Sequence, residues 1–396
     1  MDTEKIFQER IQRVRKEMER IKVDTLVLFK AQNTFYITNF NAIIYSRPVI
    51  VTLPLDQEPC LIVPRLRWDH AKKESRVKDV RVYHKTKMSR APAKMASDPL
   101  ILLKEVLEEK NATKGNIGIE RDYLTVTIFD ELRKILPNTN FVDIADSFQR
   151  LRLVKDAEEI KMVQRAAEIS DVGIKTAINT ISEGTTEIEV SVHAMNAMNE
   201  YWKERYPDSE VCGFGDAEGW TINGLTCYCI PGTGLYGCDS PSSRKLRKGD
   251  NPFVVVQTIV NGYHCENERT PIIGEPTPEQ RRVIKAHFEA TKTIEETIRP
   301  GVTCYEVAEA GAKVYEKYGY AEYAGARAGH SMGLSGHEGP SFALGEKTVL
   351  QKNMVMSVEP SLVVKGIHVG NSNVGMVTED GFEILTKYHL NELIVL

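Results

Sequence analysis

Phe7, Ile11, Val14, Met18 and Ile21 recur at spacings of 4, 3, 4 and 3 residues, which places them on one face of an α-helix. Asp24-Thr25 then leads into an aliphatic run at residues 26–29, so the chain opens as a helix feeding a strand. Runs at residues 49–53, 60–63, 117–119 and 141–144 predict further strands, and helical patterns at 99–109 and 125–136 fall between them. Such alternation predicts a mixed sheet flanked by helices.

Over residues 151–178, Ile160, Val163, Ala167, Ile174 and Ile178 share one face of a long helix, and Lys155, Asp156, Glu158 and Glu159 charge its start. A domain boundary is expected here, with one domain over residues 1–150 and a second over 151–396. Beyond Gly184 the pattern predicts a helix, a loop-rich strand region at 211–262, helices at 279–298 and 304–318, and a strand-rich end. The fold class is α/β (α+β).

Composition permits this plan: 396 residues with 42% hydrophobic and 27% charged positions suffice for two cores. The 51 basic and 55 acidic residues are intermixed, so no basic run offers a surface that tracks phosphates, and nucleic acid is not an expected partner. No apolar stretch has the 18 or more residues of a membrane span, and the first residues are charged, so a cytoplasmic protein with no membrane partner is expected. Seven scattered cysteines fit reduced thiols rather than a disulfide framework. Gly232 to Gly237 matches a glycine-rich dinucleotide motif, but the Cys238-Asp239-Ser240-Pro241 that follows is no helix start.

Three segments carry the chemistry. They are Gly262-Tyr263-His264-Cys265-Glu266-Asn267-Glu268-Arg269-Thr270, then Gly329-His330-Ser331-Met332-Gly333 with His337-Glu338-Gly339-Pro340, then Ser357-Val358-Glu359-Pro360. In order and separation they resemble the signatures of the creatinase and Xaa-Pro aminopeptidase (M24, pita-bread) superfamily. Arg152-Leu153-Val154-Lys155-Asp156-Ala157-Glu158-Glu159-Ile160 resembles the opening of that family's catalytic domain. The resemblance implies a creatinase-like N-terminal domain, a pita-bread catalytic domain and a homodimer.

The peptidases of this superfamily hold two divalent metals with two Asp, one His and two Glu, because such cations need several anionic oxygens. By the resemblance, the first Asp position falls on Val255, the second on Glu266, the His and first Glu on His330 and Glu359, and the last Glu at or beside Ser372, within Asn371-Ser372-Asn373. Two of the five are not ligands. No cofactor is therefore expected, or at most one divalent ion on Glu266, His330 and Glu359.

Creatinase is the metal-independent branch. Glu268-Arg269-Thr270, Gly329-His330-Ser331 and Arg47-Pro48 resemble its segments, whereas Cys238 stands where creatinase has its base His, and Ser341 where it has a second carboxylate-binding Arg. The expected function is thus a metal-independent hydrolase that cleaves a C–N bond in a small zwitterion bearing a carboxylate and a cationic nitrogen. His330 and His337 would move protons. Cys238 would attack or orient water, Glu268 and Glu359 with Glu266 would hold the cationic nitrogen, and Arg47 of the partner subunit would hold the carboxylate. The alternatives are a metal-dependent Xaa-Pro peptidase, a lyase on a small onium acid, and a non-catalytic binding protein.

Overall fold

The computed structural model describes residues 3–43, 45–84, 98–215, 223–230, 240–388 and 391–396. The chain forms two compact units, Met1–Arg152 with Phe214–Ile222, and Leu153–Gly213 with Asn223–Leu396.

In the first unit, helix α1 (Thr3–Arg20) buries Phe7, Ile11, Val14 and Met18, the stripe its sequence predicts. Each such side chain contributes about 1.5–3 kcal/mol when fully buried. Strand β1 (Thr25–Leu28) follows, then α2 (Ala31–Thr38), β2 (Ile50–Pro54), β3 (Cys60–Pro64), α3 (Trp68–Glu74) and β4 (Asp79–Tyr83). After them come α4 (Pro99–Glu109), β5 (Gly115–Ile119), α5 (Val126–Ile135), β6 (Thr139–Asp143) and α6 (Ala145–Leu153). The strands form one sheet in the order β4-β3-β2-β1-β5-β6. It is mixed, because β1, β2 and β3 pair antiparallel while β3/β4, β1/β5 and β5/β6 pair parallel. Helix α2 lacks an amphipathic stripe since all its residues are buried, Gln32, Asn33 and Thr34 included. Buried Glu120, just past β5, satisfies that region by accepting hydrogen bonds from Phe29 N (2.7 Å), Lys30 N (3.2 Å) and Asn33 Nδ2 (2.8 Å).

The second unit opens with α7 (Ala157–Thr180). The helix expected over 151–178 is corrected here, because Leu151–Leu153 end α6 and Asp156 caps α7. The Asp156 carboxylate accepts from the Glu158 and Glu159 amides and Glu159 reaches back to the Asp156 amide. That reciprocal cap fixes the helix start. Next come α8 (Glu187–Arg205) and an antiparallel meander of β7 (Leu225–Ile230), β8 (Phe253–Val260) and β9 (Tyr263–Arg269). Helices α9 (Pro278–Thr297) and α10 (Cys304–Tyr318) precede β10 (Gly329–Ser331), β11 (Glu338–Ser341), β12 (Val355–Val358), β13 (Ser361–Val364), β14 (Ile367–Gly370), β15 (Asn373–Val377) and β16 (Phe382–Ile384).

Strands β13 and β14 form a hairpin, and a five-stranded antiparallel sheet runs β11-β10-β12-β15-β16. A bridge between Glu268 and Ser372 ties this sheet to the meander. Helices α9 and α10 cover it through Ile294, Val307, Met356 and Val358, which lie in one buried cluster. Among the described residues, no helix is long and apolar enough to cross a membrane. The six described cysteines are buried free thiols.

Candidate active site

Strand β9 supplies two carboxylates. Glu266 and Glu268 are two residues apart, so the pleat points both to one face, opposite Gln257 and Val255 of β8. Val255 is fully buried. Strand β10 supplies His330, and Gly329 before it has φ 150°, where a Cβ would collide with the Ser357 carbonyl oxygen. Glycine is required there by close backbone approach. Because His330 sits opposite Ser357 of β12, Glu359 just beyond that strand comes within reach. Buried Arg269 braces the floor by donating to the carbonyls of Glu268 (2.6 Å) and Ser372 (2.9 Å).

These elements converge on His330. Its Nε2 lies 3.3 Å from Glu266 Oε1 and 3.3 Å from Glu359 Oε1, with both His330 and Glu266 side chains at least nine-tenths buried. Neither contact has hydrogen-bond geometry at Nε2. Its Nδ1 lies 2.9 Å from the Ser331 carbonyl oxygen, which suits a donating Nδ1–H. Arg327 donates from Nε (3.0 Å) and sets Nη2 at 2.9 Å, both on Glu359 Oε1. Ser372 Oγ donates to Glu266 Oε1 (3.2 Å) and lies 2.7 Å from Ser357 Oγ. The ring of His337, on the exposed side, is 4.6 Å from that of His330. Glu268, Glu266 and Glu359 each bring an oxygen within 4.8 Å of the others.

The charges polarise one another. Burial acts to raise Glu266, but the charge and close contact of His330, with Ser357 and His337, together outweigh it and hold that carboxyl below its usual range. Burial acts to lower His330, and Glu266 followed by Glu359 reverses this, so the imidazolium is favoured. Glu268 accepts from no side-chain or backbone donor among the described residues, and burial with the charges of Glu266 and Glu359 pushes it well up. His337 is pushed down by burial and by the charge of His330. The surroundings thus favour the charged form at His330 and the neutral form at His337 and Glu268.

Of the residues picked out in the sequence, Glu266, Glu268, His330, His337 and Glu359 come together in the second unit. Arg47 is half-buried in the loop before β2 of the first unit. Cys238 lies outside the described residues, as does the glycine-rich stretch before it. Arg327 was not singled out; it stands between Ala326 and Ala328, and only its position three residues before His330 marks it.

The model of metallopeptidase family M24 matches residues 161–384. The chain belongs to that family. The model of the creatinase and prolidase N-terminal domain matches residues 10–154. An Xaa-Pro dipeptidase of Pyrococcus horikoshii is 25% identical over 387 residues, 96% of this chain and 98% of that protein. A creatinase of a Bacillus species is 27% identical over 299 residues, 73% of this chain and 70% of that protein. The crystal structure of the prolidase from Pyrococcus horikoshii has a TM-score of 0.78 at 24% identity, covering 96% of this chain and 99% of that one, which shows the shared fold. As an M24 member the chain is a hydrolase acting on C–N bonds. The Xaa-Pro dipeptidase match spans more of the chain than the creatinase match, so comparison by length favours the peptidase alternative over the creatinase-like expectation.

The residues present do not fit the metal pair of that family. Two neighbouring divalent cations need a bridging carboxylate and several further anionic oxygens. Val255 offers no donor atom, and the Ser372 hydroxyl is engaged with Glu266 and Ser357. What persists is a three-donor set of Glu266, His330 and Glu359, with Glu359 Oε1 already paired to Arg327.

Proposed function

We propose that this M24 hydrolase cleaves a C–N bond in a small zwitterion, using proton transfer among its own side chains in place of a metal pair. The observation that supports this reading is the pair Val255 and Ser372, at two ligand positions of an otherwise assembled acid and histidine cluster. His330, set between two carboxylates, holds a proton to give to the leaving nitrogen. His337, facing His330, is the group to take one from water. Glu266 is engaged by His330 and Glu359 by Arg327, so Glu268, with no donor among the described residues, is the group that meets the cationic nitrogen, flanked by the other two. A bound cation favours the ionised carboxylate, so Glu268 releases its proton as substrate arrives. In this reading the functional form is a homodimer, Arg47 of the partner subunit holds the substrate carboxylate, and Cys238 attacks or orients the water.

A second reading is an Xaa-Pro dipeptidase carrying one divalent ion on Glu266, His330 and Glu359. Buried His330 Nε2, which makes no hydrogen bond and faces both carboxylates at 3.3 Å, supports it, as does the near full-length match to a protein of that name. Metal analysis with turnover assays separates the two. Hydrolysis of guanidino, amidino or N-methylated acids that persists in chelator supports the first; Xaa-Pro cleavage that chelator abolishes and Mn or Zn restores supports the second.

A further inference from the structure

We infer that the buried Lys155 and Glu338 ion pair positions the two histidines of the site. Lys155 lies in the break between α6 and α7, and Glu338 opens β11; their side chains are 1% and 2% exposed, with Nζ 3.5 Å from Oε2. Each adjoins a site element, one along the chain and one in space. Glu338 directly follows His337, and Lys155 Nζ lies 3.4 Å from Ser331 Oγ, the residue directly after His330.

The surrounding geometry shows what the pair holds. Ser331 sits opposite Glu338 while His330 sits opposite Ser341, a register shift at the residue that matters most. Between Ser331 and Glu338 the chain turns through residues 332–337, and three contacts close that turn. Ser335 N donates to Glu338 Oε1 (3.2 Å), Gly333 N donates to Ser335 O (3.1 Å), and His264 N donates to Gly333 O (2.8 Å). A Cβ at Gly333 would lie 3.0 Å from Glu338 Oε2 and 3.1 Å from Lys155 Cε, so the turn is seated directly on the pair. The lysine end is fixed independently, since Lys155 N donates to Asn353 O (3.0 Å) and Val154 bridges Met354 just before β12. One residue thus links the strand leading to Glu359, the strand of His330 and the turn of His337. Four residues on, Glu159 accepts from Tyr263 OH (3.0 Å) and ties the same helix start to β9, the strand of Glu266 and Glu268.

Stability alone does not account for such a pair. Removing two charges from water costs several kcal/mol per ion, and a hydrophobic pair of similar volume is commonly as stable or more so. A hydrophobic pair would lack the directed contacts to Ser331 and Ser335. The contacts of Lys155 and Glu338 described above run to one another, to Ser331 and to Ser335, which makes them positioning residues. The inference rests on His330 and His337 being the working groups of the site.

The test is the double variant Lys155→Met/Glu338→Leu beside the wild type, observed by the ring signals of the histidines in NMR, by melting temperature and by turnover. We expect it to melt within a few degrees of the wild type, with the His330 and His337 ring signals displaced. Where turnover is measurable, kcat should fall at least tenfold with KM within twofold. Ring signals coincident with those of the wild type in a folded double variant would overturn the inference. Should that variant not fold, Lys155→Arg keeps the charge but changes the reach, and unmoved ring signals there overturn it equally. His330→Ala is a separate control: full turnover in that variant counts against the proposed function, while the ring signals still report on the pair.

Discussion

Glu120 in the first unit and Glu268 in the second are both carboxyl groups that burial pushes upward, and they differ in what faces them. Glu120 receives three N–H donors from Phe29, Lys30 and Asn33, all within one turn of α2, and lies among no other site groups. Glu268 receives none among the described residues, and faces Glu266, Glu359 and the charge of His330 instead. The first arrangement completes the hydrogen bonding of a helix whose every residue is buried. The second sets a carboxyl among like charges, the condition under which it can respond to a ligand. Burial alone therefore does not separate these two acids; the groups that face each of them do.

The largest effect that can sharpen this contrast lies at His330. His330→Ala should lower kcat by roughly 10²–10⁴-fold, the range of a lost proton-transfer group, measured on the substrate identified by the chelator assay. Val255→Asp comes next, because it adds a carboxylate directly across from Glu268 with no cation to meet it. An unpaired buried charge of this kind should cost about 3–5 kcal/mol in urea unfolding. Adding Ser372→Glu and Mn²⁺ should recover much of that loss and raise the melting temperature, whereas Mn²⁺ leaves the wild type unmoved; a wild type that gains as much would sink the argument from ligand loss.

A smaller effect is expected at Glu120. Glu120→Gln turns one oxygen into a donor facing another donor, so it should cost about 1–3 kcal/mol and leave kcat unchanged. Its pH dependence has a definite sign. Burial raises the carboxyl to about 7, so the folded state holds the proton more tightly than the unfolded chain. Its contribution is full below the unfolded value and is lost as pH rises through about 7. The smallest effect is at Glu268, where the same sign applies because the folded carboxyl is again raised. Glu268→Gln keeps the shape of the protonated acid, so unfolding at pH 5 and pH 8 should show stability falling less with pH than in the wild type. A steeper fall would mean that Glu268 is ionised in the free protein.

Several of these features are legible in the chain. The α1 stripe, the limits of α4 and α10, and the shared face of Glu266 and Glu268 all follow from patterns a few residues long. Helix α2 was not legible, because burial on all sides leaves Gln32, Asn33 and Thr34 where a stripe would otherwise appear. The break at residues 154–156 was hidden because the apolar spacing of α7 runs smoothly back toward the end of α6. Arg327 gave no signal beyond its nearness to Gly329-His330.

By itself the sequence determined which residue types stand where the family resemblance implies ligands, since a valine at 255 offers no donor atom and a serine at 372 offers no carboxylate. It also determined the local elements, whose periods depend only on near neighbours. Only the tertiary structure decided that Ser372 turns its hydroxyl onto Glu266, that Arg327 pairs with Glu359, and that Lys155 meets Glu338 from 183 positions away. Strand register and sheet order make those meetings, and neither is written in any short window of sequence.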